Sequence, residues 1–209
     1  MRRAIIIDQN KCLGCQACTV ACKDWNQVEP GPVKWRKATI YETDQGPVFS
    51  PISMGCNHCA VPACVDSCGS GAITKRGSDG IVYIDREKCI GLLSCITACP
   101  FNKPQIADDI QEPYRYLGWQ TRHPAQKCNF CMDRIDVGQA PSCVRACPSF
   151  ALEMGDYDAL QAKYLAQGKD VAPLSFGEFP YAYKPGGKTD TEPSLLIVKR
   201  KPLTYVEDV

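Results

Sequence analysis

Fifteen cysteines stand in four dense groups along 209 residues, and no other feature restricts what this chain can fold into as tightly. The first group, "CLGCQACTVAC", holds Cys12, Cys15, Cys18 and Cys22 in the spacing C-x2-C-x2-C-x3-C. The second, "CNHCAVPACVDSC", holds Cys56, Cys59, Cys64 and Cys68, spaced C-x2-C-x4-C-x3-C. The third, "CIGLLSCITACP", holds Cys89, Cys95 and Cys99 before Pro100, but Leu92 stands where the spacing asks for a cysteine. The fourth joins Cys128 and Cys131 to Cys143 and Cys147 and closes, like the third, on C-x3-C-P.

A disulfide scaffold does not explain this pattern. Such scaffolds are short secreted chains with an even cysteine count. This chain is long, its count is odd, and most of its cysteines lie two or three residues apart. Soft thiolates at close spacing suit zinc or iron–sulfur clusters. A structural zinc site uses two separated C-x2-4-C pairs and has no use for C-x2-C-x2-C-x3-C. Three cysteines within seven residues wrap one face of a cuboid cluster, and the fourth points away to serve a second cluster. The net charge of +1 offers no electrostatic case for nucleic acid as a partner. No apolar run is long enough to span a bilayer. The opening "MRRAIIIDQN" pairs two arginines, but only Ala4 to Ile7 follow as an apolar run. It reads as a first strand and not as an export signal.

The surroundings of the groups repeat. "AIIID" precedes the first loop and "IVYID", Ile81 to Asp85, precedes the third; each reads as a short strand. "SGAITK", Ser70 to Lys75, follows the second loop and "SFALEMG", Ser149 to Gly155, follows the fourth, as return strands. "KRGSDG", Lys75 to Gly80, carries hairpin-turn residues, while "TVACKDW" and "CVRAC" allow one or two helical turns. Strand, cluster loop, helical turn and strand make half of a two-cluster ferredoxin. The expected fold is therefore α+β, with two ferredoxin-like modules. Spacing alone does not say which group partners which, since several pairings use every cysteine once.

The run from "IDQNKCLGCQACTVACKDWN" through "GCNHCAVPACVDSC" to "KCNFCMDR" and "PSCVRACP" resembles a known family. These are the four-cluster electron-transfer subunits of DMSO-reductase-type molybdenum or tungsten oxidoreductases, of the DMSO, polysulfide, thiosulfate and tetrathionate reductase kind. The resemblance implies that groups one and four pair, and that groups two and three pair. One [4Fe–4S] cluster then takes Cys12, Cys15, Cys18 and Cys147, and a second takes Cys22, Cys128, Cys131 and Cys143. A third takes Cys56, Cys59, Cys64 and Cys99. Cys68, Cys89 and Cys95 remain for the fourth. Related nitrate reductase subunits carry a tryptophan at the position of Leu92, and their affected cluster is [3Fe–4S]. By that analogy the fourth site holds [3Fe–4S]. A fourth [4Fe–4S] with a non-cysteine ligand and an empty site kept as packing are the alternatives. Gly69 follows Cys68 where the family usually has proline, and is expected to loosen the loop there.

The resemblance also implies an organisation. Residues 1–50 with 120–156 form an outer module, and residues 51–102 an inner one. Residues 103–127, with Tyr114, Arg115, Tyr116, Trp119 and Arg122, read as an ordered insertion near the third loop, either a docking surface or a simple solvent loop. Residues 157–209, with "VAPL" and "PSLLIVKRKP", are a partner-docking tail. The implied partners are a molybdopterin catalytic subunit and a quinone-linked membrane subunit or other redox partner. The compartment is the cytoplasm, or outside it by co-export with a partner bearing a twin-arginine signal. No Gly-rich phosphate loop and no nucleophile–base pair appears, so no catalytic residue is expected in this chain. His58 either donates to a cluster sulfur or caps its loop, and His123 is expected at the surface. Trp25, Trp35 and Trp119 either shield clusters or pack ordinarily. A ferredoxin-like subunit of a hydrogenase or formate-oxidising complex is the runner-up, and a zinc-stabilised binding module is the rival from another class.

Overall fold

The computed structural model describes residues 1–43, 46–114, 116–174 and 190–200, with residues 41–43 and 46–50 given by backbone alone. In chain order its elements are β1 (Arg3–Asp8), α1 (Ala17–Trp25), β2 (Lys37–Thr43), β3 (Gly46–Met54), α2 (Ala63–Asp66), β4 (Ile73–Lys75), β5 (Val82–Ile84), α3 (Ser94–Ala98), α4 (Met132–Asp136), α5 (Ser142–Arg145), β6 (Leu152–Asp156), α6 (Tyr157–Ala166), β7 (Val171–Pro173) and β8 (Leu195–Val198). All four strands read from the repeat are present, as β1, β4, β5 and β6.

A four-stranded sheet in the order β6-β1-β8-β7 carries the first and fourth cysteine groups. β1 runs antiparallel to β6 and parallel to β8, and β8 runs antiparallel to β7. Its apolar run has no polar alternation because both faces are covered. Ile5 and Ile7 pack toward Cys18, Cys128, Cys143 and Cys147, with Leu195 and Ile197 beside them. Ala4 and Ile6 pack the other way, against Leu160 and Tyr164 of α6, with Leu196 and Val198. Asp156 starts α6 by accepting the Ala159 N–H at 3.3 Å, a side-chain cap on an otherwise open helix end.

The second and third groups flank the β4–β5 hairpin, whose partners are Ile73 with Ile84 and Lys75 with Val82. The turn between them is fastened to the larger sheet. The Arg3 N–H donates to the Asp79 carbonyl at 2.9 Å, and the Asp79 carboxylate receives Arg76 at 2.6 Å with Arg3 at 3.5 Å. Hydrogen bonding from Arg76, against the opposing effect of burial, holds the Asp79 carboxyl below the usual range.

Two pieces differ from the sequence reading. Residues 37–43 and 46–54 pair as a hairpin, β2 with β3, whose β-branched and aromatic residues on either side of "DQG" were signal enough to predict it. Residues 157–209 are not one tail. α6, β7 and β8 belong to the sheet and its cover, because Leu195–Val198 is buried at every position. Residues 175–189 and 201–209 of the expected docking tail lie outside the described residues.

The described residues of 103–127 reach the third loop through the Ala125 N–H, 3.4 Å from Cys89 Sγ, and are closed by a Gln105–Gln126 bridge. Arg86 binds Glu112 at 2.7 Å and stacks on Trp119 at 4.1 Å. Gln111, 1% exposed, donates to Glu29 and Val33 carbonyls at 2.5 and 3.2 Å. Tyr114 and Tyr116 are exposed, and Arg115 lies outside the described residues. His123 is half-buried and held to Asp109 at 2.8 Å, not free at the surface. Among the described residues no helix is long and apolar enough to cross a membrane.

Asp79→Asn removes the carboxylate that Arg76 and Arg3 share and should destabilise the chain by about 1–3 kcal/mol. A carboxyl held low stabilises above its unfolded pKa, and that contribution is lost only as pH falls through its lower folded value. The thermal melting difference from wild type should therefore be constant between pH 8 and pH 5; a difference that halves within this window contradicts the ion-pair assignment.

Candidate metal centres

The repeated loops share a backbone. In the first loop Gly14 and Gln16 have φ of 65° and 64°; in the third, Gly91 and Leu93 have 78° and 60°. These left-handed residues turn the chain in the same way in both loops. Cys12, Cys15 and Cys18 thus match Cys89, Leu92 and Cys95 position for position, and Leu92 occupies the place of Cys15. An added Cβ on Gly91 would stand 3.0 Å from Thr121 Oγ1, so glycine is needed there for space as well as conformation.

Each C-x3-C pair spans one helical turn, where residues four apart lie on one face about 6 Å apart along the axis. Cys18 and Cys22 lie on α1, and Cys143 begins the pair with Cys147 across α5. Cys64 and Cys68 bracket α2, and Cys95 and Cys99 bracket α3. α1 packs on α5, and α2 on α3.

The thiols meet in four sets. Burial raises the Cys12 thiol, as do Cys18, Cys147 and Cys15 beside it, against a lowering backbone hydrogen bond from Gly14. Burial raises Cys22 strongly, reinforced by Cys128, Cys143 and Cys131. Burial pushes Cys59 up to about 12, with Cys56 and Cys99 as its thiol neighbours. Cys64 is raised by burial and by Cys56, Cys99 and Cys59. Burial, Cys89 and Cys68 push Cys95 up to about 11. Neighbouring sets feel one another's charge: Cys56 of the third set raises Cys128 of the second, and Cys18 of the first raises Cys143 of the second.

Cys68 and Cys147 behave differently. Burial opposes their ionisation, but the hydroxyls of Ser70 and Ser149 and several backbone N–H groups outweigh it and lower both thiols. Ser70 Oγ is 3.6 Å from Cys68 Sγ, and Ser149 Oγ is 3.7 Å from Cys147 Sγ. Donors aimed at sulfur are what an anionic sulfur ligand requires. Backbone N–H groups of Ala125 and Ala151 add to this, at 3.4 Å from Cys89 Sγ and 3.3 Å from Cys147 Sγ.

Cys56, Cys59, Cys64 and Cys99 line one cavity together with His58, Lys103 and Lys127. Cys68, Cys89 and Cys95 line another, and Leu92 stands on its wall. Leu92 is 62% exposed, and its Cδ1 lies 3.5 Å from where a Cβ of Gly69 would stand. A Cβ at Gly69 would therefore meet Leu92 at ordinary van der Waals distance.

His58 is 2% exposed. Its Nδ1 accepts the Val82 N–H at 3.0 Å, so the proton of the neutral ring is on Nε2, which has no protein partner. Burial, then Lys127 and Arg36, hold its pKa well below the usual value and keep the ring neutral. Its ring lies 3.6 Å from that of Phe130, joining the second loop to the fourth. The segment 190–194 covers the second loop, through Ala60 and Val61 N–H groups bonded to Glu192 and Thr191 carbonyls.

Trp25 donates to Asp133 at 2.8 Å under Arg134, and Trp35 donates to Gln126 at 2.9 Å against the core. Sequence reasoning missed three buried cations: Arg36, Lys127 and the Lys103 ammonium. Lys127 bonds the Val82 and Cys128 carbonyls. Lys103 faces Cys56 and Cys99. The signal for Lys127 was its place directly before "CNFC"; Arg36 and Lys103 gave none. Among the described residues no three His, Cys, Asp or Glu side chains are grouped to hold a single metal ion.

Comparison with known proteins gives a consistent result. A family model described as a 4Fe-4S dicluster domain matches residues 48–157. The B subunit of anaerobic dimethyl sulfoxide reductase of Escherichia coli K12 is 37% identical over 183 residues, 83% of this chain and 82% of that protein. Thiosulfate reductase electron transfer subunit PhsB of Salmonella typhi is 38% identical over 168 residues, covering 78% and 81%. The iron-sulfur subunit of nitrate-inducible formate dehydrogenase of E. coli K12 is 33% identical over 169 residues, covering 73% of this chain and 53% of its own. With its cysteine sets and buried sulfur-directed donors beside these matches, the chain belongs to the 4Fe-4S dicluster family, among the iron–sulfur electron-transfer subunits that include the DMSO reductase B subunit and thiosulfate reductase PhsB.

Proposed function

We propose that the chain relays single electrons through four iron–sulfur clusters held in the sets described above. The observation that carries this is the helical turn that joins neighbouring sets, since Cys18 with Cys22 and Cys64 with Cys68 each put two sets one turn apart. Cys12, Cys15, Cys18 and Cys147 hold one [4Fe–4S]; Cys22, Cys128, Cys131 and Cys143 a second; Cys56, Cys59, Cys64 and Cys99 a third. When bound, the clusters supply reversible one-electron chemistry, and the protein sets their potentials and insulates them. The chain's own part is to present thiolates, to aim donors at them, and to exclude water with residues such as His58 and Phe130. It contributes no substrate site and is not itself catalytic. Groups one and four make the outer module and groups two and three the inner; the β1–β6 pair and the β4–β5 hairpin support that division.

Cys68, Cys89 and Cys95 hold a [3Fe–4S] cluster. The unaltered backbone of the third loop, with Leu92 in the place of a thiol, supports a binding site lacking one ligand over a site abandoned to packing. One thiolate fewer means less negative charge, which favours the reduced cluster and raises its potential.

The partners are a molybdopterin catalytic subunit and a quinone-linked membrane subunit or comparable redox partner, as in the reductases whose subunits this chain resembles. Residues beyond Val198 and the 103–127 insertion are the candidate docking surfaces. The formate dehydrogenase relative keeps a formate-oxidising partner as a second reading. Isolation of the native complex, with metal analysis and an assay for formate oxidation, distinguishes these: molybdenum or tungsten without formate activity is expected, formate activity would favour the second reading, and nickel would point to a hydrogenase.

Low-temperature EPR of the anaerobically reconstituted, oxidised chain should show a near-stoichiometric [3Fe–4S] signal with about 15 iron per chain. Leu92→Cys should abolish it. An EPR-silent oxidised chain with about 16 iron points instead to a fourth cubane with a non-cysteine ligand, and about 12 to an empty site.

Raised thiols such as Cys59, Cys95 and Cys128 carry protons at neutral pH and must lose them on ligation. Cluster uptake should release protons, measurable in weak buffer, and loading should weaken as pH falls from 9 to 6. Uptake that is independent of pH contradicts ligation by these groups.

A further inference from the structure

Arg36 is the largest fully buried side chain of the described residues, 2% exposed. Among those residues no carboxylate pairs with it. Its Nη1 donates to the carbonyl and the hydroxyl of Ser53, both at 3.1 Å. Its Nε has no partner. Ser53 Oγ lies in turn 3.1 Å from Cys18 Sγ. An added Cβ on Gly55 would stand 3.1 Å from Nη2, so the backbone is close on that side. The thiols facing the guanidinium come from two different sets, Cys143, Cys128 and Cys22 from the second and Cys18 from the first, and the neutral ring of His58 and the Lys103 ammonium face it from the cavity of the third. Burial works against its charge, and the sulfurs outweigh burial, so the guanidinium stays protonated.

A buried cation with no counter-charge is not tolerated. Hydrogen bonds to one serine satisfy part of its donors and neutralise nothing. We propose that Arg36 is a positioning residue, the internal counter-charge shared by the first two cysteine sets. It lies between Cys18 and the thiols of Cys22, Cys128 and Cys143. When those thiols are ligands it compensates the negative charge of both centres, and so raises both reduction potentials. Its field acts through a dry interior and is not screened by salt. Ser53 fixes its head group and extends the contact to Cys18. The inference rests on the relay reading above, because it needs clusters in the first two sets.

The test uses the full chain, reconstituted anaerobically, as wild type, Arg36→Met and Arg36→Lys. Iron and sulfide are measured first, then midpoint potentials by EPR-monitored titration at low and high salt. In Arg36→Met two of the four centres should move to more negative potential at both salt concentrations. The centre at Cys68, Cys89 and Cys95, remote from Arg36, should keep its midpoint. Arg36→Lys should recover at least part of the shift, which packing alone does not explain. If Arg36→Met takes up less iron while Arg36→Lys takes up the full amount, charge compensation is again supported. Full loading with unmoved potentials in Arg36→Met overturns the inference, and so does equal loss of iron in both variants. A wild-type chain that binds no iron and sulfide brings down the relay reading and this inference together, a result distinct from both.

Discussion

One turn of helix with a sulfur at each end governs this architecture. In α1 the turn runs from Cys18 to Cys22, and α2, α3 and α5 repeat the arrangement. Because the two sulfurs enter different sets, no set is complete within its own loop. Each loop must wait for a partner loop to deliver its last cysteine. The packing of α1 on α5 and of α2 on α3 follows from this exchange. In the sheet, β1 and β6, the strands that flank the first and fourth loops, are neighbours. Small elements of four or five residues would not hold alone, since short helices are marginal in water. Here the cysteine sets and the sheet beneath them supply the tertiary packing that propensity does not.

Charge gives the four sets different surroundings. The second and third lie near buried cations, Arg36, Lys103 and Lys127, with His58 kept neutral among them. At Cys147 of the first set and Cys68 of the fourth, serine hydroxyls and backbone donors act in place of fixed charge. A hydrogen bond and a buried cation both stabilise anionic sulfur, but a full charge in low dielectric acts further. The same scaffold can therefore hold chemically similar centres in distinct electrostatic settings, which is how a protein tunes cofactors whose chemistry is their own.

The fourth set shows how a ligand is changed without rebuilding the loop. Gly91 and Leu93 keep the left-handed conformations of Gly14 and Gln16, so Leu92 stands where Cys15 does. Its Cδ1 lies 3.5 Å from where a Cβ of Gly69 would stand, an ordinary contact, so the change of ligand at Leu92 does not depend on glycine at that position.

The cysteine spacing determined most of this by itself. It established the four loops and the helical turns between paired cysteines, and the short β-branched runs flanking the loops marked the strands β1, β4, β5 and β6, because ligand spacing and strand-forming runs are local properties of the chain. It also located the odd site at Leu92. What it could not supply depends on distance in space. That Leu195–Val198 is a central strand follows only from its pairing with β1, 190 residues away in the chain. The β2–β3 hairpin was legible by its β-branched and aromatic residues, and dense cysteine groups on either side drew attention from it. Arg36 was invisible as a functional residue, since an arginine before a strand reads as solvated surface. Only the folded chain, by burying it without a carboxylate and surrounding it with sulfur from two loops, turns that ordinary residue into a charge on which the site depends.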